Sequence, residues 1–156
     1  MNERTTRLTR KICAPPAVVY RALIDPECVK RWKFPAGMVI HIHKFEAREG
    51  GLFRVSLSYR NSSLVGKTAA NTDTYHGHFE KLVEGRQVIE VLEFDTSDPS
   101  MSGAMRITYI LTETDGGTLL LATHENVPAG VRLEDNYQGW SMAIEQLAAL
   151  AESKQE

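Results

Sequence analysis

The stretch from Ala129 to Lys154 constrains the fold most, because it has the pattern of one long amphipathic helix. Most of its apolar residues recur every three or four positions, which places them on one helical face: Val131, Leu133, Tyr137, Trp140, Ile144, Leu147 and Ala151. About 20 helical residues extend roughly 30 Å, the width of a small domain. A helix of this length needs a broad apolar surface to pack against.

The middle of the chain has the pattern of strands that supply such a surface. From Phe53 to Arg60, apolar and polar residues alternate as in a strand with one buried face. Further strands are predicted at Val39 to Phe45, Tyr75 to Val83, Gln87 to Phe94, Gly103 to Thr112 and Thr118 to Asn126. The polar segment from Asn61 to Thr74 is predicted to be a long hairpin loop.

The N-terminal part adds one strand and two short helices. Thr6 to Ile12 alternates as a strand does, and Pro16 and Pro26 suit first turns of helices, with Asp25 as the cap of the second. The order is one strand, two helices, six strands and a helix. We predict a single α+β domain over residues 1–156, in which a curved antiparallel sheet wraps around the C-terminal helix.

Composition argues against several classes of partner. The 18 basic and 20 acidic residues are interspersed and give a net charge of −2, so the chain lacks the basic patch of a nucleic-acid-binding protein. The first residues resemble no secretory signal, and no apolar run is long enough for membrane insertion. We therefore expect a cytoplasmic protein. Cys13 and Cys28 lack metal-site spacing, and a homodimer is compatible with the sequence.

Two pairs of histidines have the spacing of metal ligands on a strand. His41 and His43 share one face, as do His76 and His78. The strand around Phe53 would separate the pairs by about 9–10 Å, so we interpret them as solvated outer-face residues and predict no metal or cofactor. Gly66-Lys67-Thr68 resembles the end of a phosphate-binding loop but lacks the first glycine and the following helix.

His124 is a candidate of a different kind. It alternates with Leu120 and Ala122, so it is expected to face the C-terminal helix near Trp140. Two interpretations remain open: a buried histidine satisfied by a neighbour, and a polar anchor or proton donor in an apolar pocket. No nucleophile motif such as GxSxG accompanies it.

Five phrases of the sequence resemble a known family. They are VVYRALIDPECVKRW from Val18, FEAREGG from Phe45, YHGHF from Tyr75, GGTLLLATHE from Gly116 and NYQGWSMAIEQLAALAE from Asn136. In this order they are similar to homologues of the activator of the heat-shock-protein ATPase, within the START-like, pollen-allergen-like (SRPBCC) superfamily. The resemblance implies a helix-grip fold. One departure is Lys33-Phe34, where the family often has a second tryptophan after Trp32.

The resemblance also implies three functional hypotheses. The first is binding of a small, largely hydrophobic molecule between sheet and helix, in a cavity lined by Trp32, Phe53, Leu57, Tyr59, Tyr75, Tyr109, His124 and Trp140. The second is a co-chaperone that contacts a chaperone ATPase through its surface. The third is an enzyme of the cyclase or hydrolase kind that uses His124. The aromatic members of the predicted wall are equally compatible with a plain hydrophobic core.

Overall fold

The computed structural model describes residues 4–34, 38–59 and 72–153 and has the predicted order of elements. A single turn of 3₁₀ helix at Pro99–Met101 is additional. The elements are β1 (Thr6–Ile12), α1 (Pro16–Ile24), α2 (Pro26–Trp32), β2 (Met38–Phe45), β3 (Leu52–Tyr59), β4 (Thr72–Val83), β5 (Gln87–Phe94), β6 (Met105–Thr114), β7 (Gly117–Glu125) and α3 (Leu133–Ser153).

The seven strands form one curved antiparallel sheet in the order β1-β7-β6-β5-β4-β3-β2. Neighbours from β2 to β7 follow each other in sequence, and β1 joins the sheet beside β7. The helices cover one face of this sheet, which buries the apolar side of each strand. The prediction of an α+β helix-grip fold is confirmed.

The two short helices begin as their prolines predict. Pro16 and Pro26 occupy first turns, where a missing backbone donor does no harm. The Asp25 side chain accepts a hydrogen bond from the backbone N–H of Glu27 at 2.9 Å and so caps α2. At the other end of α2, the Trp32 indole donates to the carbonyl of Ala22 at 2.8 Å, which joins the two helices.

The long helix starts later than predicted and has two unlike halves. A turn precedes it, in which Val131 N–H donates to the Pro128 carbonyl, so the prediction that the helix starts at Ala129 was wrong. Tyr137 is 50% exposed and does not belong to the buried face. The buried residues of α3 all lie from its middle onward: Ala143, Ile144, Leu147, Ala148 and Ala151.

Several predicted strand boundaries shift by a few residues. β6 and β7 start at Met105 and Gly117, and β4 starts at Thr72, inside the predicted hairpin loop. Asn126 has a φ of 62°, the left-handed conformation in which a strand cannot continue, so β7 ends at Glu125. Residues 60–71, including Gly66-Lys67-Thr68, lie outside the described part of the chain.

Leu147→Ala tests the packing of the C-terminal half of α3. Leu147 is fully buried, so we expect its truncation to lower the free energy of unfolding by about 2–5 kcal/mol through lost burial and a residual cavity. Met142 on the same helix is 60% exposed, so Met142→Ala should change the free energy of unfolding by no more than about 0.5 kcal/mol. Urea denaturation measures both, and equal losses would contradict the packing described.

Candidate ligand-binding cavity

A cavity of about 340 Å³ lies between the N-terminal half of α3 and the covered face of the sheet. This volume falls in the range of small-molecule sites, about 300–1,000 Å³. Most of the wall is apolar and comes from the sheet, the segment after α2, the loop before α3 and α3 itself: Phe34, Leu57, Tyr75, Leu92, Phe94, Met105, Ile107, Val127, Pro128, Val131, Trp140 and Ala143. An apolar molecule would therefore be shielded from water on several sides.

The helix contributes a wall position without a side chain. Gly139 lines the cavity, and a Cβ placed there would meet no atom within 4 Å. Glycine inside a helix costs about 0.8–1.0 kcal/mol relative to alanine. Gly139 is exposed, so it lies where the cavity meets solvent, and a larger side chain has room there.

Arg4 fixes the loop between β7 and α3, which closes one side of the cavity. Its guanidinium donates to the carbonyls of Val127, at 3.0 Å, and Pro128, at 2.6 Å, and also to that of Val131. Those three residues line the cavity. The Val127 N–H donates in return to the Arg4 carbonyl at 3.1 Å. One arginine at the start of the chain therefore holds a wall made of residues near its end.

His124 connects the sheet to α3, and its partners determine its tautomer. The Trp140 indole N–H donates to His124 Nδ1 at 2.7 Å, and the Asn136 amide lies 3.3 Å from the same atom. An indole N–H can only donate, so Nδ1 is unprotonated and the ring proton is on Nε2. His124 is 7% exposed, and its Nε2 has no hydrogen-bond partner among the described residues. His124 lines the cavity, and its Nε2–H is a buried donor that no described residue satisfies.

The surroundings of His124 keep it neutral. Burial lowers its pKa to about 4, and the positive charge of Lys33 acts in the same direction. Protonation of Nδ1 would also turn the acceptor of the Trp140 bond into a second donor. At neutral pH the ring is therefore an uncharged hydrogen-bond donor at Nε2.

A buried ion pair lies beside the cavity and was not predicted. The Lys33 ammonium donates to Glu90 Oε1 at 2.9 Å, and the two side chains are 11% and 4% exposed. Burial acts to lower the pKa of Lys33, but the charge of Glu90, the hydrogen bond to it and the nearby Tyr75 together outweigh burial and raise that pKa. Lys33 lines the cavity and lies 5.7 Å from the ring centre of Tyr75, whose pKa burial raises to about 12. The sequence signal was the position of Glu90, between inward-facing Val88 and Leu92.

The structure brings together four of the eight residues predicted to line a cavity: Leu57, Tyr75, His124 and Trp140. Trp32, Phe53 and Tyr109 are buried but do not line this cavity. Phe53 packs against Phe79, with ring centres 5.3 Å apart. The phase of a strand predicts which face a residue occupies, but whether a helix or open space covers it depends on tertiary packing.

Trp32 and Tyr109 form an edge-to-face pair at 6.3 Å in the closed part of the core. The Tyr109 hydroxyl is buried without a hydrogen-bond partner among the described residues. Burial raises the pKa of Tyr109 well above its usual value. The side chain of Tyr59 lies outside the described part of the structure.

The histidine pairs lie on the uncovered face of the sheet. His41 and His43 are exposed with ring centres 4.5 Å apart, and His43 Nε2 is 2.8 Å from Ser56 Oγ. His76 contacts Glu93 at 3.2 Å and also Asp95. Within residues 4–34, 38–59 and 72–153, no three His, Cys, Asp or Glu side chains are grouped as metal ligands.

A curved sheet that holds a cavity against a long C-terminal helix defines the helix-grip class of α+β proteins. The chain belongs to the Activator of Hsp90 ATPase homolog 1-like protein family, whose model matches residues 13–152. No curated protein matches the chain. No helix in the described ranges has the length and apolar character needed to cross a membrane.

Solved structures of similar proteins support this assignment. Protein CV1439 from Chromobacterium violaceum is 31% identical, with a TM-score of 0.85 over 96% of this chain and 97% of that one. Protein NE0264 from Nitrosomonas europaea is 21% identical, with a TM-score of 0.75 and 99% of each chain covered. An AHSA1-like protein from Aeromonas hydrophila is 15% identical, with a TM-score of 0.71 over 96% of this chain and 92% of that one. The last two share the fold.

Removal of the Lys33 charge tests the buried ion pair. Lys33→Met leaves the Glu90 carboxylate buried without its cation, and we expect a loss of about 3–5 kcal/mol in the free energy of unfolding. The double variant Lys33→Met/Glu90→Met removes both charges of the pair, so most of that stability should return. Urea denaturation of both variants measures this recovery, and a double variant no more stable than Lys33→Met would contradict it.

The protonation state of His124 predicts a pH dependence of stability. Because its pKa is about 4 when folded and 6.5 in the unfolded chain, unfolding takes up a proton between these values. Stability should be fully present above pH 6.5 and fall with pH down to about 4, by up to about 3 kcal/mol from this group. His124→Gln should reduce the difference between the unfolding free energies at pH 7 and pH 4. An identical pH dependence in variant and wild type would refute the assignment.

Proposed function

We propose that this protein binds a small, largely apolar molecule in the cavity between α3 and the sheet. The observation that carries the proposal is the cavity itself, about 340 Å³ with a mostly apolar wall. Hydrophobic burial disfavours open apolar space, because such space forfeits contacts that close packing would give. A ligand that fills it restores those contacts.

The geometry of His124 favours ligand binding over acid–base catalysis. A general base needs an accessible unprotonated nitrogen, but Nδ1 of His124 already accepts the Trp140 hydrogen bond. A general acid needs a proton that it loses readily, whereas the neutral ring holds its Nε2 proton far above pH 7. His124 is therefore suited to orient a ligand group and unsuited to transfer a proton, which counts against a cyclase or hydrolase mechanism based on it.

The family description favours a second candidate, activation of a chaperone ATPase through protein contacts. The two functions differ in what they require of the cavity. Surface contacts with an ATPase do not need the space beside Gly139, whereas ligand binding does. Stimulation of the host chaperone's ATPase rate by the purified protein, unchanged in Gly139→Leu, would support this second function. A rate that the protein leaves unchanged would remove it.

Native mass spectrometry of the gently purified protein tests ligand binding directly. We expect an extra mass in the native spectrum that disappears on denaturation, and its value identifies the ligand. Gly139→Leu should lose this mass because its side chain occupies the cavity. It should unfold at an equal or higher denaturant concentration, since leucine is the better helix former.

The matched control is Met142→Leu, an exposed position on the same helix. It should retain the bound mass. If purified wild-type protein carries no extra mass after incubation with cell lipid extracts and apolar metabolite extracts, the proposal is refuted.

A further inference from the structure

Two polar residues of the covered face, Glu90 beside the cavity and His124 on its wall, lie in one row across the sheet. Glu90 on β5 pairs directly with Ile107 on β6, and Ile107 pairs with His124 on β7. All three side chains are buried on the covered face. Adjacent strands are about 4.7–4.9 Å apart, so Glu90 and His124 are separated by roughly 9–10 Å with an apolar residue between them.

Each end of this row carries a hydrogen-bond donor. At the β7 end, His124 Nε2–H is buried and unpartnered among the described residues. At the β5 end, Lys33 binds Glu90 and lines the cavity. An ammonium has three donors, and the bond to Glu90 uses one of them. Ile107, between these ends, also lines the cavity.

The cavity has little net attraction for an anion. Lys33 is the only Lys or Arg among the described lining residues, and Glu90 lies 2.9 Å from it. The charges of this pair cancel at a distance. His124 is neutral, and two acids, the buried Asp73 and Asp135, also line the cavity. An ionised carboxylate would lose its hydration and gain no uncompensated positive charge.

From the donors and the charge balance we infer that the ligand is an uncharged molecule with hydrogen-bond acceptors, such as carbonyl groups, at both ends of an apolar body. This inference rests on the proposed binding function and specifies the chemistry of its ligand. One acceptor receives the His124 Nε2–H, the other receives a proton of the Lys33 ammonium, and the apolar body lies over Ile107. A buried donor left without a partner is costly, so a ligand that satisfies it gains specificity as well as affinity.

Four naphthalene derivatives of similar size test the inference: diacetylnaphthalene with acetyl groups at opposite ends, acetylnaphthalene, ethylnaphthalene and the ionised dicarboxylate. Binding is measured at pH 7 by titration calorimetry or ligand fluorescence. We expect each acetyl group to tighten binding by roughly tenfold, the factor for one hydrogen bond to a buried donor. The dicarboxylate should bind more weakly than diacetylnaphthalene.

Two variants test which residue of the protein binds each end of the ligand. In His124→Phe and in Lys33→Met/Glu90→Met, the affinity for diacetylnaphthalene relative to that for ethylnaphthalene should fall roughly tenfold, whatever the substitution does to the affinity for ethylnaphthalene itself. If His124→Phe fails to fold, nitrogen NMR of the wild-type protein replaces it. The Nε2 and Hε2 resonances of His124 should shift with acetylnaphthalene and stay unchanged with ethylnaphthalene.

The outcomes separate the two proposals. If none of the four compounds binds and no natural ligand is retained, the proposed function fails and this inference fails with it. If all four bind with equal affinity and Gly139→Leu abolishes binding, the cavity is a ligand site but the inferred chemistry is wrong. Tightest binding of the dicarboxylate would likewise overturn the inference. A graded affinity that depends on His124 and Lys33 supports it.

Discussion

The hydrogen bond from Trp140 to His124 crosses a region where α3 and the sheet do not pack closely, beside the cavity. Hydrophobic attraction has no preferred direction, and on its own it would bring the N-terminal half of α3 down onto the strands. Directional contacts hold that half at a fixed distance. Trp140 and Asn136 both bind His124 Nδ1, and Asn136 also donates to Thr6 Oγ1 at 2.9 Å. The cavity and an ordered helix can coexist because these polar contacts determine the distance between the N-terminal half of α3 and the sheet.

The C-terminal half of α3 is held by close apolar packing, and it also positions Lys33, another polar residue of the cavity wall. Leu147, Ala148 and Ala151 are completely buried. From the same half, the Gln146 amide donates to the carbonyls of Trp32 at 2.7 Å and Phe34 at 3.1 Å, where α2 ends and backbone carbonyls need partners from outside the helix. Lys33 lies between these two residues. The packed half of the helix therefore fixes the segment that positions the Lys33 ammonium beside Glu90.

Periodicity predicted the architecture and part of the candidate wall, and the reasons for its limits are specific. The alternation of apolar and polar residues from Phe53 to Tyr59 predicted which face of the sheet the residues of β3 occupy. The same argument placed His124 on the face towards α3 and near Trp140, as observed. It did not distinguish Tyr75, which lines the cavity, from Tyr109, which is in the closed core, because both face inward. The Lys33–Glu90 pair joins residues far apart in sequence, and nothing local specifies that contact. An acidic residue at an inward strand position was the usable signal.

The placement of β1 beside β7 has a consequence for how the molecule forms. Thr6 aligns with His124, and Arg4 binds the loop that precedes α3, so both ends of the chain contribute to one wall. Contacts between distant segments are slow to form because a long loop must close first. The hairpins from β2 to β7 join sequence neighbours and can assemble early, whereas the cavity is complete only when the first strand and the last helix have docked. A chain emerging from the ribosome therefore becomes competent to hold a ligand only after α3 has been synthesised and has docked on the sheet.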